Sequence, residues 1–126
     1  MAEIPIEKLA EKMGAKIDDF IRGVKIKTFN GIIRDTRVKT GRLRGNWQTN
    51  TGSPKTQKID RLDKTPKGVD GGSAQEEVLY NVNPDTVDYI TNNLPYAAIW
   101  EERDGMIAGN VARIERNMQE QLDETN

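Results

Sequence analysis

The side chains best suited to chemistry in this sequence are carboxylates. Glu101, Glu102 and Asp104 stand close together, and with Glu76 and Glu77 they could hold Mg²⁺ through oxygen ligands, as nucleases do. Adjacent acids do not share a face of a helix or a strand, so this cluster assigns no catalytic or metal-binding residue. The 126 residues include no histidine and no cysteine. A thiolate nucleophile, an imidazole base, a disulfide and a Cys/His zinc site are thereby excluded, and most hydrolase and redox mechanisms with them. The expectation is a protein that is not an enzyme and uses no cofactor.

Charge suggests binding instead. Residues 1–67 carry a net +8 and residues 68–126 a net −9, which leaves the whole chain at −1. Either the two halves intermix as ordinary solvated surface groups, or the basic stretch Arg34, Arg37, Lys39, Arg42 and Arg44 meets an acidic surface elsewhere. If that surface belongs to an identical neighbour, the contact is head-to-tail and closes into a ring when the rotation allows. The candidate interface residues are Arg37, Lys39, Arg42, Arg44, Lys55, Lys58, Arg61 and Lys64. Arginine and lysine beside Trp47 could also meet phosphates and stacked bases. A sequence pI near 5.6 argues against nucleic acid as the main partner.

The elements that would position these residues form one domain with a modest core, given 35% hydrophobic residues. Ile6, Leu9, Met13, Ile17, Phe20, Ile21 and Val24 recur at helical spacing, which predicts an amphipathic helix from about 5 to 35, entered at Pro5 and bent at its glycines. Leu43, Gly45, Trp47, Thr49 and Thr51 alternate with polar residues and predict a strand over about 44–52. Residues 53–75 are polar and predict a long loop. Two further strands, 77–83 and 86–92, are expected as a hairpin around Asn83-Pro84-Asp85. Ile107, Val111, Ile114, Met118 and Leu122 predict a closing helix over about 107–123. The fold class expected is α+β: a small antiparallel sheet packed on one face against an N-terminal and a C-terminal amphipathic helix.

No stretch approaches a membrane span, and the acidic, amphipathic N-terminus MAEIPIEKLAEKMG is unlike a signal peptide, so no membrane partner is expected. The lack of cysteine leaves the redox compartment open, although a small secreted domain more often carries disulfides, and the expectation is an intracellular origin.

The run Thr40-Gly41-Arg42-Leu43-Arg44-Gly45-Asn46-Trp47-Gln48, followed by Thr51-Gly52-Ser53-Pro54, resembles tail-completion or minor tail proteins of long-tailed double-stranded DNA phages. Tyr89-Ile90-Thr91-Asn92-Asn93-Leu94-Pro95-Tyr96-Ala97-Ala98 matches the later Y-I-x-N-N-x-P-Y-A segment of such proteins, and Trp100-Glu101-Glu102 with Gly105-Met106 continues the likeness. Lys39 stands where the family usually has Asp, and Arg37 where Pro is common. The resemblance implies a virion protein of the tail or neck, present in the host cytoplasm during assembly. It would form a homo-oligomeric ring, with a hexamer as one candidate form, at the head-proximal end of the tail. Its partners would be tail tube or head-completion proteins. A small nucleic-acid-binding or regulatory protein is the alternative.

Physical roles follow for the motif residues. Thr40-Gly41 suits a helix-to-strand corner with Gly41 at positive φ. Arg42 and Arg44, two apart on an extended segment, would point to one side and Leu43 to the other. Trp47 is read as a core aromatic, and Tyr96 and Trp100, beside Pro95, as packing against the last helix. Reversing the charge at Arg42 and Arg44 is then expected to spare the fold and block assembly. The loop 53–75 is expected to stay mobile until a neighbour or a tube orders it, so that deleting 56–70 spares stability.

Overall fold

A computed structural model describes residues 5–124. Residues 1–4, which open the acidic N-terminus, and residues 125–126 lie outside the described residues. The fold is α+β. In chain order it consists of α1 (Ile6–Lys12), α2 (Ile17–Arg34), α3 (Arg42–Gly45), β1 (Trp47–Thr51), α4 (Ser73–Asn81), β2 (Asp88–Asn92), α5 (Ala97–Asp104) and α6 (Met106–Asp123).

The N-terminal helix is broken rather than bent. Gly14 takes φ +67°, the Gly14 N–H donates to the Glu11 carbonyl, and the Ala15 N–H donates to the Ala10 carbonyl. This left-handed close satisfies the carbonyls that end α1 and turns the chain before α2 starts. Gly31, deep in α2, interrupts nothing. A Cβ there would come within 2.7 Å of the Arg113 guanidinium, so this glycine lets α6 cross close to α2.

The sheet has two strands, paired antiparallel from Trp47↔Asn92 to Thr51↔Asp88. The hairpin expected over 77–92 is not formed, because residues 73–81 are helical. The stretch Ala74-Gln75-Glu76-Glu77 is made of good helix formers, and Ala74, Val78 and Val82 are spaced by four along one buried stripe. In place of a third strand, side chains occupy the free edge of β1. Arg61 Nη2 donates to the Trp47 carbonyl at 2.6 Å, the Thr49 N–H donates to Glu77 Oε1 at 2.9 Å, and Asn81 Nδ2 donates to the Thr49 carbonyl at 2.8 Å. Glu77 and Asn81, one turn apart on α4, thus do for β1 what a neighbouring strand would have done.

The main core joins Ile32 and Ile33 of α2, Trp47 of β1, Ala74 and Val78 of α4, Val82, and Met106 of α6. Trp47 is buried as expected, with its indole Nε1 donating to Thr36 Oγ1 at 2.7 Å. Trp47, Gln48 and Thr49 are buried in succession, so both faces of this end of β1 are covered. The second cover is the segment 52–72, which has no helix or strand yet lies fastened across the molecule.

The turn before β2 is held from α2. Lys25 Nζ donates to the carbonyls of Asn83 and Thr86, each at 2.6 Å, and to Asp88 Oδ2 at 2.9 Å. Among the described residues, no helix is long and apolar enough to cross a membrane.

Candidate binding groove at the Gly41 corner

Gly41 takes φ +88°, the left-handed conformation expected of the corner. The residues after it form a helical turn rather than the start of a strand, and this changes the fate of the two arginines. Residues two apart stand on one side of a strand, but at about 100° per residue they point roughly 200° apart on a helix. Arg42 is therefore exposed and Arg44 fully buried, which corrects the expectation of a basic face carrying both.

Arg44 is the hub of the 52–72 strap. Its Nη1 donates to the Pro66 carbonyl at 3.2 Å, and its Nη2 donates to the carbonyls of Val69 at 2.8 Å and Gly71 at 2.9 Å. Its Nε faces Asp63 Oδ2 at 3.5 Å, and the two side chains are 0% and 2% exposed. The Asp63 N–H donates to the Gly41 carbonyl at 2.8 Å, which seats the strap on the corner. Gly45 allows a second close approach, since a Cβ there would run into the Arg61 carbonyl.

Arg61 is half-buried and also engaged within the fold. Its Nε donates to the Gly45 carbonyl at 2.8 Å and its Nη1 to Glu77 Oε2 at 2.7 Å. The Ile59 N–H donates to Asn46 Oδ1 at 2.8 Å, and Asn93 Nδ2 donates to the Lys55 carbonyl at 3.0 Å. These contacts fasten the segment where the sequence predicts a mobile loop, so deleting 56–70 is expected to cost stability rather than spare it. Few large apolar residues anchor the segment, but charged and amide side chains from the body hold its backbone.

Burial pushes the Asp63 carboxyl up, but hydrogen bonds from Thr65 and the Ala74 N–H, with the Arg44 charge, hold it below the usual carboxylate range. Asp88 behaves alike: burial raises it, and hydrogen bonds from Lys25, Thr51, the Asn83 N–H and Thr86 hold it below the usual carboxylate range. A carboxylate depressed in the folded chain contributes stability that is complete above its ordinary pKa, about 3.9, and lost as pH falls through its folded value. The melting temperature is expected to be insensitive to Asp63 and Asp88 above about pH 5 and to fall with acid below about pH 4. A melting temperature that rises on acidification through that range would contradict the ion-pair account.

Two of the exposed basic candidates, Arg37 and Lys39, line a groove. Lys39, Thr40, Gly41 and Leu43 form one wall, and Tyr96 and Trp100 the other. Arg37 lies over the Trp100 ring at 3.8 Å and Arg103 approaches it at 5.5 Å, both within cation–π range. Arg37 is aimed by a two-pronged contact with Asp104, Nε at 2.7 Å and Nη2 at 2.8 Å. That hydrogen bond raises the Arg37 guanidinium and holds the Asp104 carboxyl low. Tyr96 packs on the small cluster of Leu43, Leu94 and Ala97 rather than on α6, while Trp100 also reaches the main core beside Met106. Pro95 is exposed next to them.

Lys39, Arg42 and Lys64 are exposed, and no ion pair among the described residues includes them. Lys64 follows Asp63 and so belongs to the same corner. Lys55 and Lys58 are exposed farther along the strap, where Asn93 holds the backbone.

Three of the five acidic candidates have structural partners, while Glu76 and Glu102 are exposed. Glu101 accepts from the N–H groups of Ile107 at 2.8 Å and Ala108 at 3.2 Å at the start of α6, Asp104 holds Arg37, and Glu77 holds Arg61. Among the described residues, no group of three potential metal ligands converges.

One surface escaped the sequence reading. Tyr80 is 86% exposed, with Leu79 at 54% and Val87 at 66% in the same region. Assigned to a strand, Tyr80 had no reason to stand out. On α4 it falls one turn after the exposed Glu76, on the helix face opposite Val78.

Compared with protein-family models, curated proteins and solved structures, the chain finds no match.

Proposed function

We propose that this chain is a non-enzymatic assembly subunit of a phage virion, acting in tail completion or head–tail connection as a member of an oligomeric ring at the head-proximal end of the tail. The observation that supports it most is the meeting of the two segments that carry the phage-tail resemblance. Asn92 Nδ2 of the later segment donates to the Leu43 carbonyl of the earlier one at 2.8 Å. Leu43, Leu94 and Ala97 pack together beneath, and Tyr96 faces the Thr40–Gly41 corner across the groove. Residues that lie far apart in the sequence thus build one open, aromatic and cationic surface. Such a surface suits protein recognition, where aromatic and arginine side chains carry most of the binding energy.

Purified protein mixed with phage tail tubes tests the reading. The protein is expected to sediment with the tubes and to appear as a cap at one end by negative-stain electron microscopy. Protein that stays in the supernatant and instead binds duplex DNA, with an affinity that falls steeply with salt, would favour the nucleic-acid alternative.

A further inference from the structure

The cationic groove and the Tyr80 surface lie at opposite ends of the two-stranded sheet. The groove sits where β1 begins and β2 ends, since Trp47 pairs with Asn92 and Asn92 reaches Leu43. Tyr80 sits where β1 ends and β2 begins. There Thr51 Oγ1 donates to the Asn81 carbonyl at 2.5 Å, and the Gly52 N–H donates to the Val87 carbonyl at 2.9 Å. A five-residue strand separates the two by roughly 13 Å at ~3.3 Å per residue.

The two ends are unlike in charge. Lys39 on the groove wall and Arg42 and Lys64 beside its corner are exposed cations outside every ion pair among the described residues, with Glu102 of α5 as an exposed acid close to Trp100 in sequence. At the Tyr80 end the exposed charges outside those ion pairs are acidic, Glu76 and Asp85, and they flank Leu79, Tyr80 and Val87, while the half-buried Arg22 is engaged on the carbonyls of Leu79 and Val82. The other acids of this region are engaged internally, Glu77 with Arg61 and Asp88 with Lys25.

We propose that the groove between the Gly41 corner and Trp100 receives the Tyr80 end of a second copy of this chain. The phenol ring enters beside Tyr96 and Trp100, while Glu76 and Asp85 meet Lys39, Arg42 and Lys64. An aromatic anchor in a pocket, surrounded by complementary charge, gives both the energy and the register of such a contact. Because the two surfaces differ and lie at opposite ends, the contact repeats head-to-tail, and a closed ring results when the rotation per copy divides a full turn. The inference rests on the assembly reading above and names the partner of that groove.

The lack of native cysteine makes the test direct. Thr40→Cys places a thiol at the groove, and Asn83→Cys places one beside the Tyr80 end, where only the Asn83 backbone is used in the turn. The two variants, mixed and treated with a short bismaleimide, alone and on tail tubes, are expected to cross-link to each other and not to themselves. Tyr80→Ser is expected to leave the melting curve in place, since the ring is solvent-exposed, and to weaken self-association by about tenfold or more. Reversing the groove charges with Lys39→Glu and Arg42→Glu, or the opposing ones with Glu76→Lys and Asp85→Lys, is expected to reduce the multimer mass. Combining the four reversals in one chain is expected to restore it. Multimers that cross-link Asn83→Cys only to itself, or that ignore Tyr80→Ser, overturn this docking and leave the assembly reading standing. A chain that stays monomeric with and without tubes overturns both.

Discussion

Arg44→Met is expected to cost about 3–5 kcal/mol, the penalty for removing one member of a buried ion pair. At this chain length that corresponds to roughly 10–20 °C in melting temperature. The size of the loss follows from what the guanidinium holds. Its removal leaves the Asp63 carboxylate buried without its countercharge and takes the donor from the carbonyls of Val69 and Gly71, while the Pro66 carbonyl keeps only the Val69 N–H. Methionine fills much of the volume, so packing alone accounts for little of the loss. Arg44→Lys keeps the charge but presents a compact ammonium in place of a planar fork, and about half the loss is expected to remain. Arg42→Met, two positions away on the exposed side of the same helical turn, is expected to change stability by less than about 0.5 kcal/mol. Thermal and urea denaturation of the three variants measure all of this. Equal effects at 42 and 44 would mean that Arg44 does not hold the strap.

The corner glycine gives the second large effect. In Gly41→Ala the new methyl would lie 2.6 Å from the Asp63 carbonyl oxygen, on a backbone held at φ +88°. The left-handed conformation costs roughly 1–2 kcal/mol for a residue with a Cβ. The backbone collision forces the strap off the corner, and the total is expected to reach about 3 kcal/mol or more. Gly52→Ala is the control, because Gly52 has φ +85° with nothing within 4 Å of the added atom. It should show the conformational cost alone, about 1 kcal/mol. Denaturation midpoints that fall equally for the two variants would contradict close seating of the strap against Gly41.

These two positions also mark how far periodicity could be followed. The α2 and α6 faces, the Trp47 strand and the Gly41 corner are legible because each is encoded locally, as a repeat of apolar residues or a residue with special backbone freedom. The break at Gly14 is a local signal too, but an apolar stripe running through it outweighs the glycine on paper. α4 is obscured by Val78, Tyr80 and Val82, whose alternation imitates a strand, although Ala74, Val78 and Val82 also fit a helix. Arg44 depends on that same choice of period, since one helical turn carries it from solvent to the interior. The strap is invisible for another reason. Its anchors are polar side chains paired with distant main-chain groups, Arg44, Arg61 and Asn93 donating to carbonyls and Asn46 accepting from the Ile59 N–H, and no local pattern announces such pairs. The acidic Tyr80 surface follows from α4 and is lost with it.

The side chains along the outer edge of β1 bear on how copies can meet at high concentration. An open strand edge invites another chain to continue the sheet, and that growth has no natural stopping point. Here Arg61, Glu77 and Asn81 already occupy the Trp47 and Thr49 main-chain groups on that side. Addition of a strand along that edge would first have to strip these three contacts from one of the best-buried parts of the molecule. Copies crowded together are thereby steered away from fibrous growth along β1.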